Sequence, residues 1–221
     1  LDKIKFSTDA PTFEKAVDLY ESGGVQDFRD NEISGFLARV RGSGGKWYEV
    51  FISARHYDEG DCNCYLGQND TLCKHIAAVA LRAVKRGAPL TDEDKRLVTK
   101  PICSGTPGTL GTSELRAVKA AIAGALRYIK PYNGPSRIWF QYQNSLSEGC
   151  SRLAKIVSEL PVSEQTARML VDTLVRLDKK LLTGGVDDSD GTVGGFIEET
   201  VSVLEAFTAL DPACTKTFVE L

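Results

Sequence analysis

Cys62-Asn63-Cys64-Tyr65-Leu66-Gly67-Gln68-Asn69-Asp70-Thr71-Leu72-Cys73-Lys74-His75 is the stretch on which the fold turns. Three thiols and one of the chain's two imidazoles fall within fourteen residues. Thiolate and imidazole donors in two short pairs suit a tetrahedral zinc ion, which needs no redox chemistry. Residues two apart in an extended segment point the same way, so Cys62 and Cys64 can face one ion. Cys73 and His75 stand where loop becomes helix, and the turn there can aim both inward. Gly67 and Asn69-Asp70 let the chain fold back between the pairs. Three unpaired thiols in so polar a loop are otherwise hard to explain. Four protein ligands leave no position for a reactive water, so the site reads as structural rather than catalytic.

Upstream, residues 33–41 alternate with period two and place Phe36, Ala38 and Val40 on one face. Gly42-Ser43-Gly44-Gly45 makes a turn, and residues 47–54 return as a second strand. Downstream, Ile76, Val79, Ala80 and Val84 form a helical stripe over residues 73–86. Gly87 and Pro89 end it. A helix over residues 12–21 precedes the strands, with Phe13, Ala16, Val17 and Tyr20 spaced for one face.

Cys-x-Cys, a variable gap and Cys-x-His opening an apolar helix resembles the SWIM-type zinc finger. The resemblance covers residues 33–86, a ββα frame with Cys62, Cys64, Cys73 and His75 in the four ligand positions. It implies a zinc-binding module used for DNA binding or protein contacts, in a family found beside helicase-like ATPases, transposases and recombination factors.

Beyond residue 100 the pattern is almost all helical. Pro101, Pro107 and four nearby small residues mark residues 100–112 as a linker. Amphipathic helices follow over residues 113–130, from Pro135 to residue 160, from Ser163 to Leu181, and from Phe196 on. The expected fold class is α+β: a ββα zinc finger module preceded by a helix and followed by a helical bundle. Its expected domains span residues 1–100 and 111–221.

Of 221 residues, 27 are Lys or Arg and 30 are Asp or Glu, a net charge of -3 that excludes a uniformly basic nucleic-acid binder. No apolar run reaches the roughly 20 residues that span a bilayer, and no signal peptide is visible. The chain opens at Leu1 rather than Met, as an internal fragment would. Three clustered and three scattered cysteines (Cys103, Cys150, Cys214) do not form a disulfide framework, and a reduced cytoplasmic or nuclear setting is expected.

Several weaker patterns fall to plainer readings. Gly45-Lys46 lacks both the earlier glycine and the hydroxyl residue of a phosphate loop. Asp187-Asp188-Ser189-Asp190-Gly191 would put Val186 and Ile197 where calcium needs oxygen, so a capped surface loop is expected. His56 reads as a solvated strand-end residue rather than a fifth ligand. Arg137, Trp139, Phe140 and Tyr142 read as core aromatics before a stacking surface.

The expected role is non-catalytic: a zinc-binding protein whose finger and helical region mediate protein–protein interaction. The alternative is nucleic-acid binding. Residues 33–86 hold eight basic and five acidic residues, and Arg55, Lys74, Arg82, Lys85 and Arg86 could meet phosphates. A third reading is an enzyme in the helical half, which no sequence feature supports. Zn2+ is the expected cofactor; the expected partner is a protein, with DNA second, and no membrane or small-molecule substrate.

Overall fold

The computed structural model describes residues 1–31, 34–57, 60–69, 71–135 and 139–220. The chain divides into two compact units, Leu1–Leu97 and Val98–Leu221.

In the first unit, α1 (Asp2–Ser7) and α2 (Ala10–Glu21) lead into β1 (Val25–Asn31), β2 (Gly35–Arg41), β3 (Trp47–Ser53) and β4 (Gly60–Cys62). Asp9 caps α2 by accepting the Thr12 N–H at 2.7 Å. The strands form one antiparallel sheet in the order β1-β2-β3-β4. The sheet has four strands where the periodicity indicates two. β1 and β4 are the edges, and each carries too few alternating apolar residues to announce itself. Then come α3 (Lys74–Lys85) and α4 (Asp92–Lys95). The short α4 is capped by Thr91, as its run of first-turn acids suggests.

One face of the sheet is buried and the other is open. Ala38, Val40, Val50 and Ile52 point into the core, while Leu37, Arg39, Arg41, Trp47 and Glu49 face solvent. α3 packs on the inner face, and α2 packs on α3. The helix is therefore enclosed almost all round: every residue from His75 to Leu81 is buried. The single stripe expected from spacing is too narrow, because α3 packs on both the sheet and α2, and Ala77 and Ala78 are buried as well.

The second unit is helical: α5 (Thr112–Ala125), α6 (Trp139–Glu159), α7 (Glu164–Leu182) and α8 (Thr192–Leu210), ending in a 3₁₀ segment, Pro212–Glu220. α6 packs on α5 and α8, and α7 packs on α8 and the terminal segment. Leu146, Leu153, Leu160, Leu170, Leu177 and Phe207 fill the core. The residues expected as a linker are part of this unit. Val162 N–H donates to the Thr106 carbonyl at 2.7 Å, Gly108 N–H donates to the Val162 carbonyl at 3.2 Å, and Ser104 Oγ donates to the Leu160 carbonyl at 2.6 Å. Proline and glycine here serve a strap that follows the helices rather than a free tether.

Ser163 caps α7 as expected, accepting the Thr166 N–H. α8 begins four residues earlier than Phe196, because the Asp188 carboxylate accepts from Val193 N–H at 2.7 Å and Gly194 N–H at 2.8 Å. No helix among the described residues is long and apolar enough to cross a membrane.

Candidate metal centre

β4 delivers the first ligand. Val50 pairs with Cys62, which aligns the thiol with the buried side of the sheet. The strand ends there, so Cys64 does not reach the site by simple alternation. A turn carries it inward, with Cys64 N–H donating to Cys62 Sγ at 3.5 Å and Gly67 N–H to Cys64 Sγ at 3.4 Å. Two backbone donors aimed at sulfur lower the cost of thiolate charge there. A Cβ on Gly67 would lie 2.3 Å from the Cys62 carbonyl oxygen, so only glycine permits this return of the chain.

The second pair opens α3. Cys73 is the N-cap residue, and His75 lies in the first turn with its imidazole against the Tyr48 ring, centroids 4.6 Å apart. A Cβ on Gly42 would meet Tyr48 Cε2 at 2.2 Å, so Gly42 makes room for the ring that positions the histidine. Tyr48 is the site residue that the sequence reading missed; its only signal is an aromatic on the inward face of β3.

Cys62, Cys64, Cys73 and His75 are all buried, and their donor atoms lie within 4.8 Å of one another. His75 Nδ1 is 3.8 Å from both Cys62 Sγ and Cys73 Sγ. Zinc bonds of about 2.3 Å to sulfur and 2.0–2.1 Å to nitrogen give tetrahedral edges of about 3.8 Å between sulfurs and 3.6 Å from sulfur to nitrogen. The two nitrogen–sulfur distances match such a tetrahedron, and the wider donor separations, up to 4.8 Å, close onto an ion with a modest inward shift. All six cysteines are free, so no disulfide competes for these thiols.

The thiols are electrostatically interdependent. A hydrogen bond from Cys62 holds the Cys73 thiol well below its ordinary value. The same contact, followed by burial, pushes Cys62 up. One thiolate among buried neighbours is tolerated; three need a cation. His75 Nε2 is buried with no hydrogen-bond partner among the described residues. The Tyr48 ring therefore takes the orienting role usually filled by a hydrogen bond to the second nitrogen.

The other candidates lie apart from this cluster. His56 is exposed, three residues past β3. Arg55 is exposed beyond the far end of β3, and Lys74 sits at the start of α3. Arg82, Lys85 and Arg86 sit at the other end of that helix, about 18 Å along for its twelve residues. Arg82 lies over the Phe28 ring at 5.6 Å, and Lys85 binds Asp94 at 2.6 Å.

In the second unit Asp187 accepts from Trp139 Nε1 at 3.0 Å and Asp190 from Thr192 N–H at 3.1 Å, so the acidic loop is built from caps. Tyr142 is buried and donates to the Lys130 carbonyl. Arg137 and the side chain of Phe140 lie outside the described residues. Burial pushes the Cys150 thiol up to about 12, which leaves it protonated.

No curated protein and no solved structure gives a significant match to the chain. A family model does match part of it, and the matched residues run from the tyrosine beneath the imidazole through the four donors into the third turn of α3. Residues 48–83 match the model of the SWIM zinc finger.

Proposed function

We propose that the chain holds one structural zinc ion at Cys62, Cys64, Cys73 and His75 and uses the loop so shaped to dock a protein partner. The supporting observation is the exposure of two apolar side chains between the ligand pairs. Tyr65 is 81% exposed and Leu66 45%, in a loop whose neighbours are tied to the donors. They border a cleft of about 310 Å³ whose other walls include Tyr48, Thr12, Lys15 and Lys74. An aromatic-aliphatic pair on a rigid loop beside a small cleft is the composition of an interface hot spot. The two lysines favour an acidic partner surface.

The role is non-catalytic, since four protein donors fill the coordination sphere of the ion. Reduced thiols at the site suit the cytoplasm or the nucleus. Nucleic-acid binding draws less support, because Arg82 and Lys85 already contact Phe28 and Asp94.

Copurification with the zinc-loaded chain tests the reading. A partner retained by the native chain and lost from a Tyr65→Ala/Leu66→Ser variant of unchanged zinc content is expected. A variant that retains every partner counts against it. Steeply salt-dependent micromolar binding to duplex or single-stranded DNA would move the function to nucleic acid.

A further inference from the structure

The outer face of the sheet carries a pattern that the zinc loop does not explain. Pairing aligns Arg29 of β1, Leu37 of β2, Phe51 of β3 and Asp61 of β4 in one row across the sheet. The next row places Arg39 of β2 beside Glu49 of β3, and the next Arg41 beside Trp47. The β1–β2 half thus presents arginines, and the β3–β4 half presents acids and an aromatic ring. The middle is apolar: Leu37 is 44% exposed, and Phe51 is half-buried. These two and the flanking charges line one open depression of about 780 Å³. It shares no lining residue with the cleft beside Tyr65.

We infer that this face binds a second copy of the same chain, sheet against sheet. A two-fold axis parallel to the strands, running between β2 and β3 in the plane of contact, exchanges the two halves of every row. Arg29 then meets the second copy's Asp61, Leu37 meets its Phe51, Arg39 its Glu49 and Arg41 its Trp47. Arg39 already lies 5.4 Å over its own Trp47 ring, which shows that the ring accepts a guanidinium. Its pair with Asp27, 3.3 Å long and half exposed, is weak enough to rearrange. In the dimer Asp27 falls opposite Asn63 and Gln68, whose amides can donate to it.

Charges arranged this way select a copy of themselves. A uniformly acidic or basic partner would leave half the face mismatched. Aligned sheets pack about 10 Å apart at roughly 30°, which lets neighbouring rows meet. Three seven-residue strands and the three-residue β4, across three strand spacings, give a patch of at most about 23 by 14 Å. An interface of that size belongs to the weak class, so self-association should appear only at high protein concentration.

Sedimentation of the full zinc-loaded chain tests this through three samples. The native chain should shift from monomer to dimer with concentration. Arg39→Glu and Glu49→Arg should each weaken self-association at least tenfold, because each faces like charge across the axis. An equimolar mixture of the two variants should associate again, since each supplies the charge that the other has lost. That rescue occurs only in trans, so it separates the interface from any effect within one sheet. Zinc content and far-UV circular dichroism confirm that both variants fold. A native chain that stays monomeric, single variants that associate like the native chain, or a mixture without rescue would each overturn the inference. None of these outcomes touches the docking role of Tyr65 and Leu66.

Discussion

The two units are held by different means. Around the finger the core mixes large side chains, Phe13, Ile52, Ile76 and Leu81, with many small ones: Ala77, Ala78, Ala80 and Ala83 on α3, and Cys62, Cys64 and Cys73 beside them. The helical unit instead interlocks leucines and two phenylalanines, Phe196 and Phe207, from three long helices. Leucine burial stabilises by roughly 1.5–3 kcal/mol per side chain, and alanines contribute far less. A β4 strand of three residues and the loop after it cannot be secured by apolar contact alone. On the proposed reading a metal there adds to a thin core, and its binding energy becomes folding energy for the first unit.

Removing the metal should divide the molecule most sharply. Cys73→Ser, or chelation of the native chain, should abolish the one-to-one zinc content. It should also free Tyr65 and its loop to proteolysis while the helical signal of residues 112–210 persists. Joint collapse of both units in far-UV circular dichroism would show that the contrast is mistaken.

The converse change acts on the helices. Leu170→Ala removes a fully buried side chain of α7 and should cost about 3 kcal/mol. The loss should register in the helical transition of a denaturant titration, with zinc content unchanged. Gly67→Ala is smaller, about 2 kcal/mol from the clash with the Cys62 carbonyl. It should surface as weaker zinc retention in a competition with a chromogenic chelator, because it moves a ligand-bearing turn.

The smallest effect is electrostatic. The Lys85 ammonium beside Asp94, with the Thr91 N–H, holds that carboxyl down at about 2. A depressed carboxylate stabilises the fold fully above its unfolded value of about 3.9, and the benefit fades as pH falls through about 2. Asp94→Asn should therefore cost under about 1 kcal/mol at neutral pH and flatten the stability profile between those values. Equal acid sensitivity in the variant would assign the profile to other carboxylates.

How much of this was visible in the sequence follows from the range of the forces. The four donors stand within fourteen residues, and their chemistry is specific, so the centre was legible. The β2–β3 hairpin and α7 were legible because their periodicity is strong and local. β1 was not, because only Val25 and Phe28 are apolar and a bulge with Asp27 at φ 52° interrupts its register. The enclosure of α3 depends on α2 packing from the far side, which spacing within α3 cannot reveal. Asp188 capping α8 spans a loop, and Tyr48 supports His75 across 27 residues; neither leaves a local signature.

X-ray absorption at the zinc edge of the purified chain tests the centre most directly. One zinc per chain is expected, with three sulfurs at about 2.3 Å and one nitrogen at 2.0–2.1 Å. A shell dominated by oxygen, fewer than three sulfurs, or no stoichiometric zinc would contradict it.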